Sequence, residues 1–124
     1  MNIPFSPPDI TEEEIEAVAE VMRSGWITTG PKTKELERKM AEFTHTNRGV
    51  CLNSATSCME MALRLFEIGP GDEVIVPAYT YTASASVVCH VGATLRLVDV
   101  EKGTFHIDYA AVESMINDKG NHTC

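Results

Sequence analysis

The sequence lacks any run of about 18 consecutive apolar residues, the length that a membrane-spanning helix requires. Its opening residues, Met1-Asn2-Ile3-Pro4, lack the basic segment followed by an apolar segment that marks a secretory signal peptide. Lysine and arginine are scarce, with 10 basic side chains against 18 acidic ones and a formal charge of −8. Because nucleic acids and anionic membranes are bound mainly through Lys and Arg, we expect neither as a partner. We expect a cytoplasmic protein.

Patterns typical of metal ligands and disulfides are also missing. The four cysteines never occur as Cys-x-x-Cys, and the four histidines are scattered along the chain. Cys89 and His90 are adjacent, so on a helix their side chains point in different directions. We therefore predict reduced thiols and no metal site, and we assign no catalytic residue. Asp99, at the end of a predicted strand, could act as an acid or a base, but an Asp there more often caps the next turn.

The 124 residues are enough for one domain with a single hydrophobic core. Thr11 and Glu14 form a capping-box pattern that predicts the start of a first helix, which Ser24-Gly25 ends. Pro31 can open a second helix, in which an apolar stripe of Leu36, Met40 and Phe43 is expected to be buried.

Short apolar runs then alternate with helical patterns. We predict strands at 50–52, 73–77 and 95–100, each followed by a helix, with Asp108 capping the last helix. No further strand is predicted before Cys124. The continuous β-branched run Val74-Ile75-Val76 is typical of a strand covered on both faces. The order indicates a parallel α/β sheet, with an amino-terminal segment over 1–47 and a β-α-β-α-β-α segment over 48–124 of a single domain.

The first candidate site is Asn53-Ser54-Ala55-Thr56-Ser57, which follows one predicted strand and opens a helix. Free N–H groups at a helix start, with nearby hydroxyls, favour an anion such as a phosphate. Ordinary capping of the helix by Ser54 or Thr56 is an equally good interpretation of the spacing.

The second candidate site follows the strand at 73–77 and contains Tyr79 and Tyr81. An exposed aromatic ring there could stack on a flat ligand, although both tyrosines could instead pack at the edge of the core. Because consecutive parallel strands end on the same side of a sheet, the two candidate sites are expected to face the same edge.

Several segments, in order, resemble the amino-terminal third of the DegT/DnrJ/EryC1/StrS sugar aminotransferases. The segments that carry the resemblance are Ile3-Pro4-Phe5, 24–31, 53–56, 69–77, Gly92-Ala93 and Val98-Asp99-Val100. The resemblance implies part of the large domain of a fold-type-I enzyme that depends on pyridoxal 5'-phosphate (PLP). Such enzymes transfer an amino group from glutamate to a nucleotide-linked keto sugar and act as homodimers that share active sites.

The resemblance also implies roles for individual residues. Ser54, Ala55 and Thr56 would hold the cofactor phosphate, and Tyr81 would stack on the pyridine ring. The loop of Trp26 to Gly30 would lie near the active site and the dimer contact, which makes Thr29 a candidate substrate contact. Trp26 could serve there only as a packing anchor.

Two functional parts of the family pattern are not found in this sequence: the Asp that pairs with the pyridine nitrogen and the Lys that forms the Schiff base. None of the five lysines lies in the Schiff-base motif; they are Lys32, Lys34, Lys39, Lys102 and Lys119. We therefore expect a truncated sugar aminotransferase that is inactive alone.

Two alternatives stay open: a non-catalytic binding or regulatory protein that keeps the phosphate site and the dimer surface, and a fragment of a sugar dehydratase of the same family. The resemblance further implies an incomplete sheet, in which 50–52 lacks its family neighbours. Open strand edges and uncovered apolar faces then favour a dimer or a higher oligomer.

Overall fold

The computed structural model describes residues 3–4, 6–116 and 121–123. Its elements, in chain order, are α1 (Glu12–Ser24), α2 (Pro31–Phe43), α3 (Ala55–Leu65), β1 (Glu73–Pro77), α4 (Thr82–His90), β2 (Thr94–Val98), α5 (Tyr109–Met115) and β3 (Asn121–Thr123). Contacts divide the chain into two compact units, 1–51 and 52–124. In the described residues, no helix is both long enough and apolar enough to cross a membrane.

The first unit contains the two predicted amino-terminal helices. The backbone N–H of Thr11 donates to Glu14 Oε2 at 2.7 Å, and the Thr11 hydroxyl accepts from the N–H of Glu13 at 3.3 Å. The predicted capping box is thereby confirmed. Gly25 ends α1 in the left-handed conformation with a φ of 72°, and Pro31 occupies the first turn of α2 as predicted.

The expected burial of the α2 stripe is wrong. Leu36, Met40 and Phe43 are 51%, 47% and 81% exposed, and Ala41 is the one buried apolar side chain among the described residues of 1–51. Two helices of 13 residues each provide too few apolar faces to enclose a core of their own.

The second unit is built on a parallel sheet with the strand order β2-β1-β3. The central strand β1 is covered on both faces, as the sequence predicts. Val74 and Val76 pack on one face with residues of α3 and α4, whereas Ile75 packs on the other face with Val98 and Val112. The alternation follows from the two-residue period of a strand. The predicted α/β class with an open parallel sheet is confirmed.

Two strand predictions are wrong. The segment 50–52 forms no strand; instead, the N–H of Cys51 donates to Glu37 Oε1 at 2.9 Å. A strand that was not predicted, Asn121–Thr123, pairs in parallel with β1. Both errors have one physical cause, because short segments become strands only where an edge is available to pair with.

Candidate functional site

The two polar segments of the second unit meet the sheet at its carboxyl edge. Tyr79 and Tyr81 follow Pro77, the last residue of β1. Leu63 of α3 belongs to the same buried cluster as Val74 and Val76 of β1, and the turn at 66–72 joins the end of α3 to the start of β1. A short turn of this kind indicates that the helix runs antiparallel to the strand. With 11 residues in the helix and 5 in the strand, each element is about 16 Å long. These lengths lead us to expect the amino terminus of α3 near the edge at which the tyrosines follow β1, although the strand at 50–52 on which the sequence-based expectation rested does not form.

Ser54 caps α3 and leaves donors free at its start. The Ser54 hydroxyl accepts from the N–H of Ser57 at 3.1 Å and lies 3.0 Å from the Ser57 hydroxyl. In the described part of the chain, no hydrogen bond is recorded for the N–H groups of Ala55 and Thr56. The capping interpretation is thus confirmed for Ser54, and two backbone donors and the Thr56 hydroxyl remain available to a ligand.

The charge around this helix start also suits an anion. The first turn of α3 contains no acidic side chain, whereas the first turn of α1 contains Glu12, Glu13 and Glu14. Because the amino terminus of a helix carries a partial positive charge, the α3 terminus leaves that charge uncompensated by its own first turn, as the starts of α2 and α4 also do.

The two tyrosines differ in their surroundings. The Tyr79 ring stacks on Phe105, with ring centroids 5.0 Å apart and an interplanar angle of 27°. Tyr81 is 81% exposed, and no ring contact is recorded for it within the described residues. The alternative that both tyrosines pack at the core edge is therefore wrong for Tyr81, whose ring remains free for a flat ligand.

Sequence reasoning did not identify Phe105. This residue lies in the loop after β2, and only the folded chain brings that loop beside the segment that follows β1. The only sequence signal is an aromatic residue two positions after a glycine in an otherwise polar turn, Lys102-Gly103-Thr104-Phe105.

Thr29 belongs to the other unit, 1–51. Its carbonyl accepts a hydrogen bond from Trp26 Nε1 at 3.1 Å. The same loop borders a cleft of about 470 Å³ between the end of α1 and the start of α2, which includes Trp26 and Thr28 in its lining. The role of Thr29 as a substrate contact stays a prediction.

Two of the remaining titratable candidates, Asp99 and Lys39, have structural partners. Asp99 Oδ1 accepts from the N–H of Val100 at 2.8 Å, which matches the turn-capping interpretation. Among the lysines, Lys39 forms an ion pair with Glu35 at 2.8 Å. In the described residues, no group of three or more His, Cys, Asp or Glu side chains is arranged to hold a metal ion.

Glu60 is the one group in α3 with a shifted pKa. A hydrogen bond from Arg64, and after it one from His90, lowers the pKa of the Glu60 carboxyl below its ordinary value. Arg64 Nη2 lies 2.7 Å from Glu60 Oε1, and His90 Nδ1 lies 3.0 Å from Glu60 Oε2. The contact between Glu60 and His90 joins α3 to the end of α4. Glu60 lies more than one helical turn from the N–H groups of Ala55 and Thr56.

Comparison with known proteins identifies many relatives of the chain. The sequence profile of the DegT/DnrJ/EryC1/StrS aminotransferase family matches residues 8–122. A Shewanella sediminis protein, UDP-4-amino-4-deoxy-L-arabinose--oxoglutarate aminotransferase, is 42% identical over 117 residues, which are 94% of this chain and 30% of that protein.

Solved structures show the same relationship. Spr1654 of Streptococcus pneumoniae, assigned as a sugar aminotransferase and solved in apo, PMP and PLP forms, is 60% identical with a TM-score of 0.91. The match covers 99% of this chain and 31% of that one. An aminotransferase from Psychrobacter cryohalolentis is 33% identical with a TM-score of 0.86, over 97% of this chain and 31% of that one. The chain thus spans about 30% of the length of these relatives.

Proposed function

The chain belongs to the DegT/DnrJ/EryC1/StrS aminotransferase family, and we propose that it carries the cofactor-phosphate and cofactor-ring contacts of a PLP-dependent sugar aminotransferase. The observation that carries this proposal is the start of α3, where the N–H groups of Ala55 and Thr56 have no hydrogen-bond partner in the described residues. From the lengths of α3 and β1 we infer that these groups lie near the edge at which Tyr81 presents its exposed ring. The PLP and PMP forms of a solved relative support PLP as the cofactor.

The described residues fit two parts of PLP. The N–H groups of Ala55 and Thr56, with the hydroxyls of Ser54 and Thr56, are donors suited to the phosphate. The free face of Tyr81 suits the aromatic ring of the cofactor. When bound, PLP supplies the electron sink for amino-group transfer. The chain's own residues hold and orient the cofactor, and Tyr81 also excludes water from one face of its ring.

The lysines support a further part of the proposal, that the chain alone does not catalyse transamination. Lys32, Lys34 and Lys39 belong to α2, in the other unit, and Lys102 lies in the turn after β2. Lys119 lies outside the described residues. None of these positions follows the family's Schiff-base motif, so we propose that the amine for covalent attachment is not provided by 1–124.

The names of the relatives support a proposal for the substrate, and the family resemblance supports one for the assembly. The Shewanella sediminis relative is named for a UDP-linked amino sugar and for oxoglutarate. We propose a nucleotide-linked keto sugar as acceptor, glutamate as donor, Thr29 as a substrate contact and a homodimer as the working assembly. We further propose the cytoplasm as the location.

One observation favours a second candidate function. The donors at the start of α3 and the ring of Tyr81 suit binding of a phosphate and a ring, whereas Asp99, which follows β2 at the carboxyl edge, accepts a hydrogen bond from the N–H of Val100. A non-catalytic protein that binds PLP or a related phosphate compound is therefore the alternative. Addition of a polypeptide that supplies the rest of the family's length would restore activity to a split enzyme and would leave a binding protein unchanged.

The test is a PLP titration of the purified chain, followed by absorbance, borohydride reduction and intact-mass measurement. We expect saturable binding without a trapped adduct. A trapped adduct would show that one of the five lysines reaches the cofactor, which contradicts the proposed lack of an attachment amine. Absence of saturable binding would contradict the proposed phosphate and ring contacts.

A further inference from the structure

The stacked rings of Tyr79 and Phe105 join two loops that emerge from neighbouring strands. We propose that Phe105 is a positioning residue: it holds Tyr79, and through it the segment 78–81, so that Tyr81 keeps its ring at the carboxyl edge of the sheet. This inference rests on the proposed function, because the ring that Tyr81 would receive is that of the cofactor.

The loop that carries Phe105 is a closed hairpin. Val100 and Ile107 form an antiparallel bridge, and the N–H of Glu101 donates to the carbonyl of His106 at 2.9 Å. The N–H of Asp108 donates to the carbonyl of Asp99 at 3.2 Å. Because backbone bonds fix both arms of the hairpin, Phe105 is presented from a defined support and not from a free loop.

The base of the hairpin is anchored in the core. Ile107 packs against the buried cluster of Ile75, Val98 and Val112, which joins β1, β2 and α5. Asp108 caps α5, since its Oδ1 accepts from the N–H of Ala111 at 3.0 Å. Ile107 and Asp108 therefore connect the ring of Phe105 to the buried cluster and to α5.

The segment 78–81 is held by backbone bonds at its two ends. The N–H of Ala78 donates to the carbonyl of Val98 at 2.7 Å, and the carbonyl of Tyr81 accepts from the N–H of Ser84 at 3.0 Å. Between these ends, the Thr80 hydroxyl lies 3.0 Å from the Ser84 hydroxyl, within the same segment and helix. In the part of the chain that the structure describes, the Tyr79–Phe105 stack is the recorded side-chain link from this segment to the hairpin.

The two tyrosines of this segment then have separate roles. The ring of Tyr79 stacks on Phe105, whereas the ring of Tyr81 is exposed and is the one available to a ligand. An immobilised loop binds a ligand ring with a smaller loss of conformational entropy than a mobile loop does. Loss of the Phe105 ring should therefore weaken binding of a ring-bearing ligand without altering the phosphate donors.

The first test measures the segment itself, without any ligand. NMR order parameters of the 78–82 amides, and nuclear Overhauser contacts between the rings of Tyr79 and Phe105, are compared in the wild type, F105A and F105Y. The matched control is F66A, because Phe66 is 75% exposed and Phe105 is 77% exposed, and Phe66 ends α3 at the opposite edge. We expect lower order parameters in F105A alone. Unchanged order in F105A overturns the proposal.

The second test separates ring binding from phosphate binding. We expect F105A to weaken PLP binding by about threefold to tenfold, the range expected for an aromatic pair. Inorganic phosphate should bind F105A and the wild type equally, and F105Y should restore PLP affinity. Equal PLP affinity in the wild type and F105A overturns the proposal. If the wild-type chain binds neither PLP nor phosphate, the proposed function is contradicted. The positioning role of Phe105 is then tested by the order parameters of the 78–82 amides alone.

Discussion

Gly30 shows how a single residue fixes the loop between α1 and α2. A Cβ atom placed on Gly30 would come within 2.0 Å of Trp26 Cδ1, far inside any allowed contact. The hydrogen bond from Trp26 Nε1 to the Thr29 carbonyl keeps the ring in that place. Glycine is thus required by the close approach of the indole ring.

We predict that G30A displaces the Trp26 ring and breaks its bond to Thr29. The chain has one tryptophan, so its fluorescence reports this site without interference. We expect the emission maximum to move to longer wavelength and the stability to fall by less than about 1 kcal/mol, because Trp26 is 57% exposed and its ring can turn outward. The control is G69A, where an added Cβ would meet the Val91 carbonyl oxygen at an ordinary 3.6 Å. An unchanged G30A emission spectrum would show that the indole does not occupy the described position.

The candidate site divides, residue by residue, into what the sequence could and could not provide. Ser54 caps α3 and Tyr81 follows the end of β1, so local patterns were sufficient to select both, although the strand predicted before Ser54 does not form. The separate tasks of Tyr79 and Tyr81 could not be predicted, because they depend on Phe105, which lies more than 20 positions later in the chain. Which loops from different strands touch one another depends on how the strands pair in the sheet, and the sequence alone does not give that pairing.

At the scale of elements, short sequence patterns correctly predicted those features that depend on interactions within a few residues. The capping box of α1 and the β-branched run of β1 both describe interactions within a few residues, and both are confirmed. The strand at 50–52 and the burial of the α2 stripe depended instead on surfaces elsewhere, and both predictions are wrong. Apolar periodicity indicates which face of a helix is able to pack, but not whether a partner covers it.

The junction of α3 and α4 gives a pH-dependent prediction. The pKa of Glu60 is below its ordinary value of 4.5, first through Arg64 and then through His90. A carboxyl with a lowered folded-state pKa stabilises the fold above its ordinary pKa and loses that contribution as the pH falls through the folded-state value.

Thermal unfolding between pH 6 and pH 3 checks this prediction. We expect the wild-type melting temperature to fall more steeply below about pH 4.5 than that of E60Q, which has no carboxyl to protonate at this position. E20Q is the matched control, since no ion pair is recorded for Glu20 in the described residues. Parallel acid profiles for the wild type and E60Q would contradict a stabilising role of this ion pair.

At the scale of the whole molecule, uncovered apolar surface is the main feature. Large apolar side chains on α1 and α2 are exposed, including Val18, Met22 and Phe43. The outer strands β2 and β3 each have β1 as their one neighbour in the described sheet. Exposed apolar faces and open strand edges both promote association between chains.

We therefore predict self-association, despite the formal charge of −8. Size-exclusion chromatography with light scattering, at tens of micromolar and in moderate salt, should give the mass of a dimer or a higher oligomer. Low salt should weaken association, because like charges then repel over longer distances. A stable monomer at these concentrations would contradict the proposed homodimer and would leave the apolar faces exposed in solution.

The central claim is that the start of α3 binds the phosphate of PLP, and A55P tests it most directly. Ala55 is the first residue of α3 and follows an extended Ser54, a position that accepts proline without loss of the helix. The substitution removes one N–H donor and little else. E12P places a proline at the first residue of α1, where it also removes one carboxylate, and is the control for a proline at a helix start.

Isothermal titration of PLP into the wild type, A55P and E12P gives the decisive comparison, with far-UV circular dichroism to check helix content. A hydrogen bond to a charged group contributes about 1.5–3 kcal/mol, so we expect the Kd of A55P to rise by about tenfold or more while E12P binds like the wild type. Equal affinities of A55P and the wild type, with helix content unchanged, would contradict the claim that the α3 terminus holds the cofactor phosphate.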